Sequence, residues 1–441
     1  MYELKSKFEN YLHNLDELNP VRVDGRVSQI TGLVIEATAH EGTVGDTCEI
    51  RMDNQKPVKA EIVGFRDNKV LLMPLGETLG VSPGSKVVLS SQPLRVPVGS
   101  QLLGRILDGL GNPIDGKGPI KSNQFKSIFN KPPNPMRRKR ITNYLATGIK
   151  AIDGLITLGK GQRAGIFAGS GVGKSVLLGM IAKYTNADVN VIALIGERGR
   201  EVREFIERDL GEEGLKRSVV VVATSDQAAT VRLKGSLLAT TIAEYFREQR
   251  KDVLLLMDSL TRTAMAQREI GLAAGEPPTT KGYTPSVFAM MPRLLERAGN
   301  SENGSITGLY TVLVEGDDLD EPVSDTARSI LDGHIVLARK LASRGHYPAV
   351  DVLNSVSRVK ADVTTPEQAD LGLEVLELMS VYKDSEDLIN IGAYVKGSNP
   401  KVDKAVLHID KINSFLRQDM KESSEFSQTM EELEKLIKTG E

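Results

Sequence analysis

The amino-acid sequence predicts an α/β protein in which a parallel sheet is preceded by a small β-barrel and followed by a helical domain. Positions 19–92 consist of short segments rich in β-branched residues and separated by turn residues. This pattern is typical of small β-barrels. From about residue 149, continuous apolar strands alternate with helical segments, as in a sheet covered by helices. Beyond Pro366 the chain is charged and helical in pattern. We therefore expect domains at 19–92, 93–365 and 366–441.

The composition indicates a soluble globular protein. Of the 441 residues, 40 % are hydrophobic and 26 % are charged, and the formal net charge is −2. A single cysteine, Cys48, excludes an intramolecular disulfide. Tryptophan is absent and aromatic residues make up 5 %, which leaves few stacking platforms for single-stranded nucleic acid. No apolar run approaches the ~20 residues needed to span a bilayer, so we expect a cytoplasmic protein without a nucleic-acid partner.

The first segment has the apolar periodicity of an amphipathic helix. Its apolar residues recur at steps of four and three and are Leu4, Phe8, Tyr11, Leu15 and Leu18. Pro20 ends the pattern. We predict a helix over 1–18, which either packs on its own domain or docks on a partner protein.

The barrel prediction depends on six short segments with strand character. They are 21–30, 32–37, 48–52, 59–65, 70–74 and 86–90. Glycine, aspartate and asparagine mark the turns between them. No catalytic combination of residues occurs here, so we interpret this domain as one that serves assembly.

Residues 93–140 are rich in proline and glycine, and we expect an irregular connection there. The basic run Arg137–Arg140 lies at its end. A nucleic-acid patch is one interpretation of the run, and a solvated loop is the more common one.

The α/β core is predicted from five apolar strands, at 163–168, 189–195, 219–223, 253–257 and 307–314. Helical segments at 176–184 and 236–250 lie between some of them. Three further helices are predicted at 367–383, 401–416 and 424–438.

A glycine-rich segment between the first core strand and the first core helix carries the main functional signal. It reads AGSGVGKS from Ala168 to Ser175. Glycines in this context let backbone N–H groups surround phosphates, and the helix N-terminus adds its positive dipole end. Lys174 is expected to reach the β- and γ-phosphates, and the Ser175 hydroxyl to bind Mg²⁺. The strict P-loop pattern begins with glycine, and Ala168 is a small departure from it.

The second Mg²⁺ ligand is expected at the end of another apolar strand. Asp258 closes the strand VLLLMD. A strand that ends in aspartate is common, so Asp258 is a weak prediction by itself. It becomes a strong one in combination with the P-loop.

Two further segments resemble the rotary ATPase superfamily. The segment GERGREV at 196–202 resembles the one that carries the catalytic glutamate, which makes Glu197 the residue that orients water and Arg198 a neighbour of the γ-phosphate. The segment HYPAVDVLNSVSRV at 346–359 resembles one in which a tyrosine stacks on adenine and an arginine acts in the neighbouring subunit's site. The resemblance implies these roles for Tyr347 and Arg358, and places Arg262 near the γ-phosphate.

Within that superfamily the chain resembles the type III export ATPases. The segments 277–289 and 294–300 carry this likeness, and 165–180 resembles the flagellar branch. The resemblance implies a RecA-like P-loop core that binds Mg²⁺ and ATP. It also implies that the nucleotide is held by Ala168, Gly169, Ser170, Gly171, Val172, Gly173, Lys174, Ser175, Val176 and Tyr347.

The family further implies a six-membered ring that energises flagellar protein export. Its implied partners are a stator-like regulator at the first helix, a central stalk protein, the export gate, chaperones and export substrates, through which the protein would associate with the membrane. Three alternatives stay open: an injectisome ATPase, a nucleic-acid translocase of the transcription-termination type, and a nucleotide-binding assembly subunit without turnover.

Overall fold

The computed structural model describes residues 24–39, 42–52, 56–314 and 320–438. The predicted helix over 1–18 lies outside these residues. One compact unit comprises the described residues up to Leu94 with Ala273–Gly275, and the other comprises Arg95–Leu272 with the described residues from Glu276 onward.

The first unit is a closed six-stranded antiparallel barrel, as predicted. Its strands are β1 (Asp24–Thr31), β2 (Val34–Thr38), β3 (Asp46–Arg51), β4 (Val58–Arg66), β5 (Lys69–Pro74) and β6 (Lys86–Pro93), in the order β1-β2-β5-β4-β3-β6. Alternating residues such as Ile35, Ile50 and Leu72 fill its interior. The β4–β5 hairpin turns at Asp67 and Asn68, both with positive φ, which suits the right-handed twist of the flanking strands.

The segment after the barrel contains regular structure that we did not predict. β7 (Arg95–Val98) pairs with β9 (Gln124–Ser127), and β8 (Ile106–Asp108) joins the edge of the main sheet beside the strand Ser218–Ala223. The expectation of an irregular connection was therefore wrong in part. β8 is only three residues long, which is too short to show periodicity in sequence.

The basic run at 137–140 is not uniformly solvated. Arg138 Nη1 donates to the Ala298 carbonyl at 2.7 Å, and Nη2 lies 3.2 Å from the Glu296 carboxylate. The Arg138 side chain is 18 % exposed, whereas that of Arg137 is 72 % exposed. Arg138 thus binds this loop to residues 296–298, and the solvated-loop interpretation is wrong for this residue.

The second unit is built on a mainly parallel sheet. Its strands after β9 are β10 (Tyr144–Leu145), β11 (Leu158–Gly159), β12 (Arg163–Ala168), β13 (Val189–Ile195), β14 (Ser218–Ala223), β15 (Asp252–Asp258), β16 (Gly299–Asn300), β17 (Ser305–Leu313), β18 (Gly333–Leu337) and β19 (Val350–Ser357). The main sheet has the order β19-β18-β12-β17-β15-β13-β14-β8. β19 runs antiparallel to β18 at one edge, and the other neighbours along this path are parallel. The five predicted core strands are confirmed.

Helices cover this sheet and complete the unit. They are α1 (Lys150–Leu155), α2 (Lys174–Tyr184), α3 (Gly199–Glu204), α4 (Gly211–Lys216), α5 (Ala229–Glu248), α6 (Leu260–Ala274), α7 (Pro285–Leu295), α8 (Pro322–Ile330), α9 (Arg339–Ser343), α10 (Lys360–Val363), α11 (Pro366–Asn390), α12 (Pro400–Leu416) and α13 (Phe426–Lys438). A π-helical turn at Phe205–Leu210 joins α3 to α4. Among the helices that the structure describes, none has both the length and the apolar character that a bilayer crossing requires.

The three C-terminal helices confirm the predicted helical segments. α11 begins with a capping box in which Thr365 and Gln368 satisfy each other's backbone N–H groups, and Pro366 occupies the first turn. Val375, Phe415 and Leu433 belong to the same apolar cluster as Ile152 of α1. The helices therefore share a core with the α/β sheet.

A buried ion pair joins α5 to the segment after α7. Arg297 donates to both carboxylate oxygens of Glu244 at 2.8 Å, and both side chains are 3 % exposed. The same guanidinium donates to the Ile128 carbonyl at 2.9 Å and to Thr241 Oγ1 at 2.8 Å. Removing either charge would leave the other buried without compensation.

We predict that Glu244→Ala lowers the free energy of unfolding by about 3–5 kcal/mol, because it leaves the Arg297 charge unpaired in the interior. Urea unfolding followed by circular dichroism measures the change. Glu213→Ala is the control, since Glu213 pairs with Lys216 at the surface, where both side chains are more than two-thirds exposed, and should shift stability by less than about 0.5 kcal/mol. Equal effects of the two substitutions would contradict the assignment.

Candidate nucleotide site

The glycine-rich loop connects β12 to α2 at the carboxyl edge of the parallel sheet. Ala168 is the last residue of β12, and Lys174 is the first of α2. Gly171 and Gly173 have φ of 78° and 85°, a left-handed conformation that glycine adopts without strain. Val172 is 2 % exposed and anchors the loop in the core. The loop thus keeps backbone N–H groups and the helix N-terminus available to an anion.

Lys174 lies between two carboxylates that come from different strands. Its Nζ is 2.5 Å from Asp258 Oδ1 and 3.4 Å from Glu197 Oε1. Burial lowers the pKa of Lys174, but the charges of Asp258 and Glu197 outweigh burial and raise the pKa above its ordinary value. The lysine therefore stays charged. Asp258 is 3 % exposed and also accepts a hydrogen bond from Thr311 Oγ1 at 2.7 Å.

Glu197 stands immediately beyond β13. Gly196 turns the chain there with φ of 72°, and a Cβ at this position would lie 2.7 Å from Arg262 Cβ. Burial raises the pKa of Glu197 to about 7, and the Asp258 charge adds to the effect. A carboxyl group that titrates near neutral pH suits proton transfer to and from water.

A cavity of about 400 Å³ opens over this cluster. Its lining residues are Gly169, Ser170, Gly171, Gly173, Lys174, Ser175, Val176, Gly196, Glu197, Arg198, Glu201, Ser225, Arg262 and Leu313. Most residues predicted to hold the nucleotide are among them. A cradle of glycines, a buried ammonium and a buried carboxylate fits a triphosphate with Mg²⁺.

The two arginines near the cavity differ in exposure. Arg262 is half-buried in the first turn of α6, and within the described chain its buried Nε has no hydrogen-bond partner. An unsatisfied guanidinium nitrogen beside a phosphate-binding loop suits an anionic ligand. Arg198 is 81 % exposed and pairs with Glu201 at 3.0 Å, so it lies at the solvent side of the cavity.

Tyr347 and Arg358 flank the same strand, β19, and lie at opposite ends of the strands of the sheet. Tyr347 precedes β19 and is half exposed, and its ring carbons lie 3.3 Å from the position of a Cβ on Gly173. Arg358 follows β19, whose last residue, Ser357, pairs with Gly333 at the start of β18. Because β18 is parallel to β12, that end of the sheet is opposite the phosphate-binding loop. The structure brings Tyr347 to the chain's own loop and leaves Arg358 away from it.

Three family models match the chain in order. The beta-barrel domain of the ATP synthase alpha/beta family matches residues 27–90, its nucleotide-binding domain matches 148–357, and the C-terminal domain of the T3SS EscN ATPase matches 364–435.

Full-length relatives and solved structures agree with these matches. The flagellum-specific ATP synthase of Bacillus subtilis is 57 % identical over 89 % of this chain and 90 % of that protein. The type 3 secretion system ATPase of Xanthomonas euvesicatoria is 50 % identical over 92 % of each chain. The assembled ATPase EscN of enteropathogenic E. coli, 44 % identical, superposes with a TM-score of 0.90 over 94 % of this chain and all of that one. In complex with its central stalk EscO, EscN gives a TM-score of 0.87.

The chain belongs to the family of flagellum-specific ATP synthases and type III secretion system ATPases. The resemblance inferred from sequence motifs is thereby confirmed, as is the order of barrel, nucleotide-binding domain and helical domain.

Sequence reasoning missed some residues of this family member's site. Thr311 is a polar residue in the apolar strand β17, and it meets Asp258 because β17 lies beside β15. Glu201 forms a side-chain hydrogen bond with Glu197, which helps to raise the pKa of Glu197. Thr311 gave the weaker signal, a lone threonine in a buried strand, whereas Glu201 lies within the GERGREV segment without a role assigned to it.

The raised pKa of Glu197 predicts a pH-dependent stability of the nucleotide-free ATPase. The folded state holds the Glu197 proton more tightly than the unfolded state, whose pKa is near 4.5. This contribution to stability is complete below pH 4.5 and is lost as the pH rises through about 7. Glu197→Gln is neutral at every pH, so it should melt at a higher temperature than the parent at pH 8, with the difference shrinking toward pH 5.

Thermal melts in chelator between pH 5 and 8 measure this difference. The control is Glu204→Gln, because Glu204 is 43 % exposed and pairs with Arg200 at the surface; this substitution should have little effect on the melting temperature. A Glu197→Gln variant that is less stable than the parent at pH 8 would refute the buried-charge explanation.

Proposed function

We propose that this protein hydrolyses Mg-ATP and that hydrolysis energises flagellar type III protein export. The observation that carries the proposal is the contact of Lys174 with both Asp258 and Glu197 directly beneath the phosphate-binding loop. Phosphoryl transfer requires a cation that binds the phosphate oxygens, a carboxylate that binds a metal ion and a second carboxylate that positions water.

In the proposed mechanism each group has one role. Backbone N–H groups of the loop from Gly169 to Val176 hold the phosphates. Ser175 and Asp258 would hold Mg²⁺, which would neutralise charge at the phosphates. Lys174 exchanges its carboxylate contacts for phosphate oxygens, and Glu197 orients the attacking water and accepts its proton. Tyr347 stacks on the adenine, and Arg262 and Arg198 contact the γ-phosphate.

The position of Arg358 supports a ring of identical subunits. This arginine lies at the end of the strands opposite the phosphate-binding loop of its own subunit. A nucleotide that it contacts therefore belongs to another subunit. A contact between two different surfaces of the same chain gives a closed ring when the rotation closes. We propose six subunits, as the family resemblance implies, and EscN is likewise known as an assembled ATPase.

The flagellar assignment is supported by the identity of 57 % to the Bacillus subtilis flagellar relative. The injectisome is the second candidate, because the Xanthomonas type 3 secretion ATPase is 50 % identical. The two machines use the same chemistry, and the genes beside this one would decide between them.

Further partners belong to the same proposal. A central stalk protein is supported by the complex of EscN with EscO. A stator-like regulator at residues 1–18, the export gate, chaperones and export substrates complete the set. We place the protein in the cytoplasm, at the membrane only through these partners. Stimulation of hydrolysis by RNA or single-stranded DNA would instead favour the translocase alternative.

We predict that Glu197→Gln keeps Mg-ATP binding but lowers kcat by about 10²–10⁴-fold, because water positioning is lost while the phosphate cradle stays. Lys174→Ala should instead weaken nucleotide binding. Titration calorimetry with Mg-ATP and a phosphate-release assay separate the two effects. Near-normal turnover by Glu197→Gln would remove Glu197 from the mechanism.

We also predict that two inactive variants, Glu197→Gln and Arg358→Ala, regain activity when mixed. In a mixed ring some interfaces combine an intact Glu197 with an intact Arg358 from the neighbour, and an arginine acting in trans is worth about 10³–10⁵ in rate. Phosphate release by the mixture, compared with each variant alone, measures the recovery. If mixed rings form and no activity returns, Arg358 does not act in trans.

A further inference from the structure

The backbone of Arg358 is held by the turn between α8 and β18. Its N–H donates to the Asp332 carbonyl at 3.0 Å. The Arg358 side chain is exposed, and within the described chain its guanidinium makes one long contact, to the Arg328 carbonyl at 3.4 Å. The direction of this flexible side chain therefore depends on where Asp332 fixes its backbone.

Asp332 is in turn fixed to the first residue of β12. The Arg163 guanidinium donates to both carboxylate oxygens at 3.0 and 3.1 Å, and the Arg163 backbone N–H donates to one of them at 3.1 Å. The Asp332 N–H donates back to the Arg163 carbonyl at 2.7 Å. A planar guanidinium that makes two parallel bonds fixes both distance and orientation.

The neighbouring residue strengthens this connection. Gln162 is fully buried, and its Nε2 lies 3.1 Å from both the Asp332 carbonyl and Ser357 Oγ. Ser357 directly precedes Arg358. Gln162, just before β12, thus contacts both Ser357, which precedes Arg358, and Asp332, whose carbonyl accepts from the Arg358 N–H.

β12 carries the phosphate-binding loop at its other end. Arg163 is its first residue, and Ala168 is its last residue before the glycines. One six-residue strand therefore connects a subunit's own nucleotide site to the arginine that it presents to its neighbour.

We propose that the Arg163–Asp332 pair is a positioning device that aims Arg358 into the adjacent subunit's nucleotide site. The proposal rests on the trans role of Arg358 given under the proposed function. A misplacement of about 1 Å in a group that contacts the transition state can cost about 10²-fold in rate. Asp332 and Arg163 act through Arg358 and are positioning residues.

The test adds Asp332→Asn to one partner of the mixed ring at a time. In the first arrangement Asp332→Asn is placed in the Glu197→Gln chain, which donates Arg358, and this chain is mixed with Arg358→Ala. In the second it is placed in the Arg358→Ala chain, which donates Glu197, and this chain is mixed with Glu197→Gln. The mixture without Asp332→Asn is the reference.

The first arrangement should show a kcat about 10- to 100-fold below the reference, with KM for Mg-ATP unchanged, because the nucleotide-binding groups of the working site are intact. The second should equal the reference, which also shows that the Asp332→Asn chain folds and turns over. Arg163→Lys in the first arrangement should give a smaller loss, since lysine keeps the charge and loses the fork.

The outcomes separate the two proposals. An undiminished first arrangement, or equal losses in both arrangements, overturns the positioning role and leaves the trans role of Arg358 intact. A reference mixture that forms rings without regaining activity overturns the trans role, and the positioning role falls with it.

Discussion

Parallel pairing of the central strands is the constraint on which the rest of the site depends. Strands that run in the same direction bring their carboxyl ends to one edge, so the residues that follow β12, β13 and β15 meet there. The register places Ala168 beside Leu313, and Leu194 beside Asp258. Lys174, Glu197 and Asp258 are far apart in sequence and become neighbours through this pairing alone. Their short contacts are a consequence of strand order.

The antiparallel direction of β19 places Tyr347 and Arg358 at opposite ends of the strands. Because this edge strand is antiparallel to β18, Tyr347, which precedes it, lies at the same end of the strands as the phosphate-binding loop, and Arg358, which follows it, lies at the other end. β19 consists of eight residues of extended chain, roughly 25 Å at about 3.3 Å per residue. A single subunit therefore cannot use both residues at one site, and the geometry favours a shared site between copies.

Much of this arrangement could be predicted from the sequence, for physical reasons that differ between elements. The five core strands are buried on both faces and form continuous apolar runs, which are easy to recognise. The glycines of the loop mark a backbone conformation that other residues rarely adopt. The barrel strands were recognisable because turn residues separate them.

Other features depend on tertiary contacts that leave no local pattern. β8 is a strand because its backbone pairs with that of β14. Its three residues are too few to show an apolar periodicity in the sequence. Arg138 belongs to a basic run, yet its side chain is largely buried because it donates to the carbonyl of Ala298, about 160 positions away in the sequence. The roles of Tyr347 and Arg358 came from family resemblance, since a tyrosine and an arginine near an edge strand are unremarkable by themselves.

The charge of the cluster explains why a metal should accompany the nucleotide. Lys174 contributes one positive charge against the two carboxylates of Asp258 and Glu197, and all three side chains are less than one-fifth exposed. A bare triphosphate entering this site would meet two buried anions with one cation to share, and like charges at close range in a poorly solvated site repel strongly. A divalent cation held by Asp258 would neutralise part of this negative charge, so that Lys174 could contact the phosphates. Glu197, whose pKa burial has already raised, would then be the carboxylate that can accept a proton from water.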